Sequence, residues 1–218
     1  MSVFDSYRDK VYPYRFRGVL LVTDIHGGTP TDPQKAEGWI RSKMQLKDDQ
    51  IRDLVVTTMA ERGIEAEEAI KEASAFKHLN GFKRDESGLY IEGRQLKAGI
   101  KEAANIRWPK RKWGPSGKGT RNFFAEHVFV EERRLPLGVE QPTGIHQRFV
   151  HTWKGAGIQY EEFVEDAKVG FHVKTDFKFT KDDWGEMWSI AENQGVGASR
   201  SLGFGTYEVI EWELEAAS

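Results

Sequence analysis

Apolar and polar positions along this chain fall into two periods, and the changes from one to the other predict its elements. The run YRFRGVLLVTDI, Tyr14 to Ile25, mixes aromatic and β-branched residues and reads as a first strand. Its density of apolar residues places it in the middle of a sheet. Gly27-Gly28-Thr29-Pro30 then breaks the pattern. Asp32 followed by Pro33 has the form of an N-cap and a first helical residue, which predicts a helix over Pro33 to Met44. Two more helical stretches follow, near Asp49–Arg62 and Glu65–His78, split by Gly63. The last is charged over most of its surface, as a solvated helix in an insertion would be.

A short strand, Gly88–Glu92, leads into a helix over Arg94–Ile106. Strands are predicted again at Asn122–Val130, around Ile145–Thr152 and within Val164–Phe179, where FHVKTDFKF alternates at period two. Thr180 is an N-cap, with Asp182 and Asp183 in the first turn of a helix running to about Asn193. A glycine-rich loop and a strand, Phe204–Leu214, close the chain. Without insertions the order is strand, helix, strand, strand, helix, strand. That is an α+β, ferredoxin-like (RRM-like) βαββαβ core with both helices on one face of an antiparallel sheet. The expected organisation is a single domain over residues 1–218, with a helical insertion at about 33–80 and a basic loop at about 107–121.

Composition changes this picture mainly by exclusion. At 218 residues the chain fits one domain with an insertion. It has no cysteine, which excludes disulfides, cysteine–zinc sites and thiol catalysis. A net charge of −2 confines any nucleic-acid surface to a local patch. No apolar run approaches the roughly 18 residues that span a bilayer, and the start, MSVFDSYRDK, has no apolar signal-peptide segment. The expectation is a cytoplasmic protein with no membrane partner and no cofactor.

Three catalytic motifs are suggested and fail. Asp24-Ile25-His26 at a strand end is how binuclear metallophosphoesterases begin their metal site, but each ion needs about four to six donors. The Gly-Asp and Gly-Asn-His companions occur nowhere, and the other histidines (His78, His127, His146, His151, His172) are scattered. No metal is therefore expected. His26-Gly27-Gly28 suggests an esterase oxyanion loop, yet the nearest nucleophile elbow, Gly197-Ala198-Ser199-Arg200-Ser201, has serine at its second glycine position. Gly114 to Thr120 suggests a phosphate loop, but Lys112 and Gly119 occupy the places of its first glycine and its Ser/Thr.

Two other segments are more informative. Residues 107 to 121, RWPKRKWGPSGKGTR, hold six cations and no acid, with Trp108 and Trp113 among them. Such a loop suits phosphate neutralisation with aromatic stacking on bases. The alternative is a solvated loop whose tryptophans anchor it to the core. GVGASRSLGFG, Gly195 to Gly205, lies between the last helix and the last strand. Its four glycines let the backbone pass close to a bulky group, and free N–H groups there can cradle an anion. The alternative there is a flexible connection with no ligand.

With Gly203-Phe204-Gly205 ending that loop, and YIEGRQLKAGIKEA (Tyr90 to Ala103) opening the first helix, the chain resembles the RAMP superfamily of CRISPR-associated RNA-binding proteins. It is most similar to the backbone subunit of type III effector complexes, which polymerises along guide RNA. In that family a strand ends in Gly and Ser-x-Leu-Lys-Gly opens the helix, so the resemblance gives Lys97 the approach to RNA phosphates. Arg94 and Gln95 stand where small residues are usual, and Ala98 at the usual glycine. The resemblance covers Tyr14–Ile25 and Leu89–Leu214.

It implies RNA-binding roles for Arg94, Lys97 and Lys101 on the helix, and for Arg107, Lys110, Arg111, Lys112, Trp113, Lys118 and Arg121 in the basic loop. In the glycine-rich loop it implies Gly195, Gly197, Ser199, Arg200, Ser201, Gly203 and Gly205. Partners would be a guide or single-stranded RNA, further copies of the chain and other effector subunits, in a ribonucleoprotein complex of antiviral defence. Type III backbone subunits carry an RNA-cutting aspartate after the first strand, and Asp32 lies in that region, although a helix cap is its stronger reading. Two rival functions stay open. One is a metal-independent endoribonuclease of the same superfamily using His26 as general acid or base. The other is a non-enzymatic structural or assembly protein, such as a viral one, that reuses the fold.

Overall fold

The computed structural model describes residues 10–30, 79–152 and 155–215, the side chains of 150–157 excepted. The three helices expected between Pro33 and His78, and Asp32 itself, lie outside the described residues. The chain divides into two compact units. The first comprises residues 1–24, 91–135 and 166–218, and the second 25–90 and 136–165.

The strands are β1 (Tyr14–His26), β2 (Thr29–Pro30), β3 (Leu79–Gly81), β4 (Lys83–Asp85), β5 (Gly88–Glu92), β6 (Lys112–Trp113), β7 (Lys118–Gly119), β8 (Val128–Val130), β9 (Arg134–Pro136), β10 (Gly144–Thr152), β11 (Gly155–Thr175) and β12 (Tyr207–Glu215). The helices are α1 (Gly93–Arg107), α2 (Thr120–His127) and α3 (Lys181–Gln194).

In the first unit the strand order is β12-β1-β11-β8, with β12 antiparallel to β1 and β8 antiparallel to β11. Helix α1 precedes β8 and α3 precedes β12, so this is the βαββαβ order of a ferredoxin-like core. The sequence alternation decides which face of β1 is buried. Gly18, Leu20 and Val22 face the core, while Arg15 and Arg17 before them, on the other face, are exposed. Gly18 is required by proximity, since a Cβ there would lie 2.4 Å from the Phe171 ring. A bulge between Val19 and Leu20 pairs Val19 with Glu211 and Leu20 with Val209, leaving Ile210 without a partner.

Helices α1 and α3 pack on each other. They bury Leu96, Ile100, Ala103 and Ala104 on one side and Trp184, Met187, Trp188 and Ala191 on the other. Thr180 starts α3 as expected, through a reciprocal capping box. Its hydroxyl accepts from the Asp183 N–H at 3.0 Å, and the Asp183 carboxylate accepts from the Thr180 N–H at 3.0 Å. Burial pushes the Asp183 carboxyl up, but the Thr180 donors and Arg111 outweigh it and hold it below its ordinary 3.8. Its contribution to stability is therefore present above pH 3.8 and lost as the pH falls through the lower folded value. Asp183→Ala should cost about 1–2 kcal/mol at neutral pH, and the gap from wild type should narrow at pH 3, as urea melts at the two pH values would show.

One element differs in kind from expectation. Asn122–Val130 was expected as a strand, but Thr120–His127 is helix α2 and only Val128–Val130 is extended. Its buried positions, Thr120, Phe123 and Phe124, have i, i+3, i+4 spacing, which the adjacent apolar residues of FFAEHVF mask. Elsewhere among the described residues the expected strands and helices hold with shifted ends, and β11 starts well before Val164.

In the second unit β10 and β11 form an antiparallel ribbon from Gly144↔Phe163 to Thr152↔Gly155. Strand β3 runs parallel to β11 and antiparallel to β2, and β4 pairs with β5. Among the described residues no helix is long and apolar enough to cross a membrane.

Candidate nucleic-acid interface

The basic segment after α1 is a compact structure. It turns at Trp108, pairs β6 with β7 as a small hairpin, and enters α2. Gly114 and Gly117 supply the positive φ of the hairpin turn. Both tryptophans point inward, with Trp113 2% exposed and Trp108 8%. Trp113 packs against Trp108, Phe123 and Phe124 at centroid distances of 5.3, 5.7 and 5.6 Å, and its indole N–H donates to Thr120 Oγ1 at 2.9 Å. The Thr120 hydroxyl in turn donates to the Trp108 carbonyl at 2.6 Å. The expectation that Trp113 stacks on bases is thus corrected: its ring is enclosed by other rings and anchors the segment to the core.

The expected RNA-binding cations divide into engaged and uncommitted groups. The Arg111 guanidinium lies 3.7 Å from the Trp113 ring centroid and 2.8 Å from Asp183. Arg107 pairs with Glu186 at 2.9 Å, Lys118 with Glu126, and Arg94 with Glu92 at 2.7 Å. Lys97 is turned away from solvent. Its ammonium donates to the Ala125 carbonyl at 2.9 Å and sits 4.0 Å from the Phe129 ring centroid, and burial together with Lys101 pushes its pKa down. By contrast, Lys101, Lys110, Lys112 and Arg121 have no acidic partner among the described residues. The last three are exposed.

The glycine-rich loop is closed at its neck. The Val196 N–H donates to the Gly205 carbonyl at 2.8 Å, and the Gly205 N–H to the Asp24 carbonyl at 2.6 Å. Gly205 has φ 72°, and a Cβ there would lie 1.9 Å from the Val196 carbonyl oxygen. Gly195 has φ 70° and faces Phe204 in the same way. Beyond the neck, Gly197, Ser199 and Gly203 are left-handed, and Arg200 to Leu202 form a 3-10 turn. Arg200 reaches Glu102 of α1 at 3.3 Å, and Ser201 is exposed at the tip. Among the described residues the N–H groups of Gly197 and Ala198 meet no acceptor.

Helix α1 sets the spacing of these two patches. Gly195 backs onto Gly99, whereas Arg107 at the far end meets Glu186 near the start of α3. The eight residue steps from Gly99 to Arg107 span about 12 Å at the helical rise. The glycine-rich loop and the basic segment therefore form two separate patches, the first against the middle of α1 and the second at its C-terminal end.

The open sheet face is a feature the sequence reading missed. Arg15 pairs with Glu131 and Glu215 at 2.6 Å each, His172 with Glu132 at 2.6 Å, and Lys174 with Glu131 at 3.3 Å. The alternating R-F-R of 15–17 and E-W-E-L-E of 211–215 were its signal. At its margin Tyr12 and Phe129 pack on each other at 5.5 Å. Among the described residues this face is occupied by ion pairs where an RRM presents its stacking rings.

In the second unit His26 is 1% exposed, with Nδ1 2.8 Å from Glu161 Oε2 and its ring edge-on to His146 at 5.3 Å. A general acid or base must touch the proton it moves, so this burial speaks for a structural role. Among the described residues no three His, Asp or Glu side chains converge as metal ligands would.

No protein-family model and no curated protein matches the chain. Among solved structures it is similar to a chain in the cryo-EM structure of the Type III-B Cmr-beta bound to cognate target RNA. The TM-score is 0.52 at 10% identity, over 99% of this chain and 66% of that one. The chain therefore spans just under two thirds of that neighbour's length. At this identity the likeness shows the fold alone, an α+β ferredoxin-like core.

Proposed function

We propose that the chain is an RNA-binding subunit of a CRISPR-type ribonucleoprotein, repeated along the guide RNA as a backbone subunit and contacting other effector subunits. The observation that carries this reading is the set of uncommitted cations, Lys101, Lys110, Lys112 and Arg121, beside Arg94, Lys97, Arg107, Arg111 and Lys118, which are engaged. Phosphates of a single strand meet Lys110, Lys112 and Arg121 at one end of the helix pair, and Lys101 lies nearer the glycine-rich loop. The Gly197 and Ala198 N–H groups of that loop cradle a further phosphate. Binding of this kind tracks the backbone and reads little sequence.

The charges give a quantitative test. Each phosphate neutralised on a single strand contributes roughly 0.7 to the slope of log affinity against log salt. Replacing Lys110, Lys112 and Arg121 together by alanine should weaken binding to a single-stranded RNA and flatten that slope by about 2. Thermal stability should be unchanged. Protein purified without RNA, oligomeric and indifferent to this substitution, would favour the assembly-protein reading instead.

A further inference from the structure

The first unit holds a second recessed surface, unconnected with the RNA reading. It is a groove of about 620 Å³ between α3 and the edge strand β12, floored by Phe16, Trp184, Trp188 and Trp212. That volume is within the usual range of ligand sites, about 300–1,000 Å³. Three independent observations mark it as more than a packing defect. Gly185 lies inside α3 between the two tryptophans, where glycine weakens a helix. A Cβ built there meets nothing within 4 Å, so no neighbour requires the glycine, and its effect is to keep the groove open. Trp184 and Trp188 are 3% and 5% exposed, and their indole N–H groups have no acceptor among the described residues. Lys178 and Lys181 line the mouth without an acidic partner among the described residues.

We infer that this groove receives an extended peptide from a protein partner, carrying one large apolar side chain with a carboxylate close by in sequence. The apolar side chain fills the space beside Gly185. The carboxylate meets Lys178 and Lys181. Strand β12 provides the track, because among the described residues it pairs only with β1, and Ile210 and Leu214 on it are 43% and 59% exposed. A nucleic acid fits less well. The tryptophan faces are covered by neighbouring rings, Phe16 with Trp212 at 4.9 Å and Trp184 with Trp212 at 5.0 Å. Glu208, Glu211 and Glu213 on β12 would also repel a phosphate chain laid along it.

The test is selection of random displayed peptides on the full chain, followed by affinity measurements on synthetic copies of the winners. The expected result is a consensus joining a large apolar residue to Asp or Glu. Gly185→Leu should weaken binding by about tenfold or more while the melting temperature holds or rises. If Gly185→Leu fails to fold, Gly185→Ala and the pair Lys178→Glu with Lys181→Glu carry the same test. Absence of a consensus would overturn the proposal, as would equal binding to wild type and the folded variants. Loss of a polyuridylate's binding through these same substitutions would assign the groove to nucleic acid instead.

Discussion

Trp113→Ala is expected to cost about 3–5 kcal/mol, enough to leave much of the protein unfolded at ordinary temperature. The ring is 2% exposed and touches Trp108, Phe123, Phe124, Phe177 and Phe179. Its removal opens a cavity that five rings cannot close without leaving their rotamers. It also strips Thr120 Oγ1 of the indole donor and Arg111 of the ring beneath it. Chemical denaturation would measure this directly. The contrast with Lys112→Ala, one residue earlier and exposed, separates the two possible roles of the segment. Lys112→Ala should leave stability within about 0.5 kcal/mol of wild type and lower RNA affinity alone. A folded, stable Trp113→Ala protein defective only in RNA binding would restore the base-stacking role that the structure removes.

Gly205→Ala is the second large effect. The new methyl would sit 1.9 Å from the Val196 carbonyl at a φ of 72°, so both the contact and the backbone conformation oppose it. Something at the neck must move, and the two hydrogen bonds of Val196 and Gly205 are the contacts at hand. The expected cost is about 2–4 kcal/mol, read as a lower melting temperature with loss of amide-exchange protection concentrated at Val196 and Gly205. Gly203→Ala makes the informative comparison. It meets open space at a similar φ of 90°, and it should show the backbone penalty of about 1–2 kcal/mol without the steric part.

Much of the fold was legible because its signals are local. Thr180 followed by Asp183 announced the start of α3, Gly88–Glu92 ended where α1 begins, and the alternation in FHVKTDF located the second half of β11. Helix α2 was not legible, because two adjacent phenylalanines fit a strand run as well as one face of a helix. The candidate site was read less well, for a different reason. Composition identifies cations but not their partners. Arg111 is engaged by Asp183 across 72 residues of chain, and Lys97 is turned inward by Ala125 and Phe129. Of the cations on α1 and in the basic segment, the sequence had no means to separate Lys101, Lys110, Lys112 and Arg121 from the rest. The glycine-rich loop was recognised as special, yet its glycines divide the labour. Gly195 and Gly205 close the neck through close backbone approach, and Gly197 and Gly203 shape the loop itself.

The unpaired Ile210 has a consequence for everything that follows it. Upstream of it, Tyr207 and Val209 face the helices on odd positions; downstream, Trp212 and Leu214 do so on even ones. The extra residue is a phase shift in the code of the last strand. Were Ile210 to pair in the ladder like its neighbours, an uninterrupted count of two would bring Glu211, Glu213 and Glu215 under α3 and expose the tryptophan. The aromatic floor and the acidic outer face thus depend on the bulge as long as Ile210 is present: relatives of this fold can lose the residue and the bulge together and keep both faces, but cannot flatten the bulge and keep the residue without exchanging them.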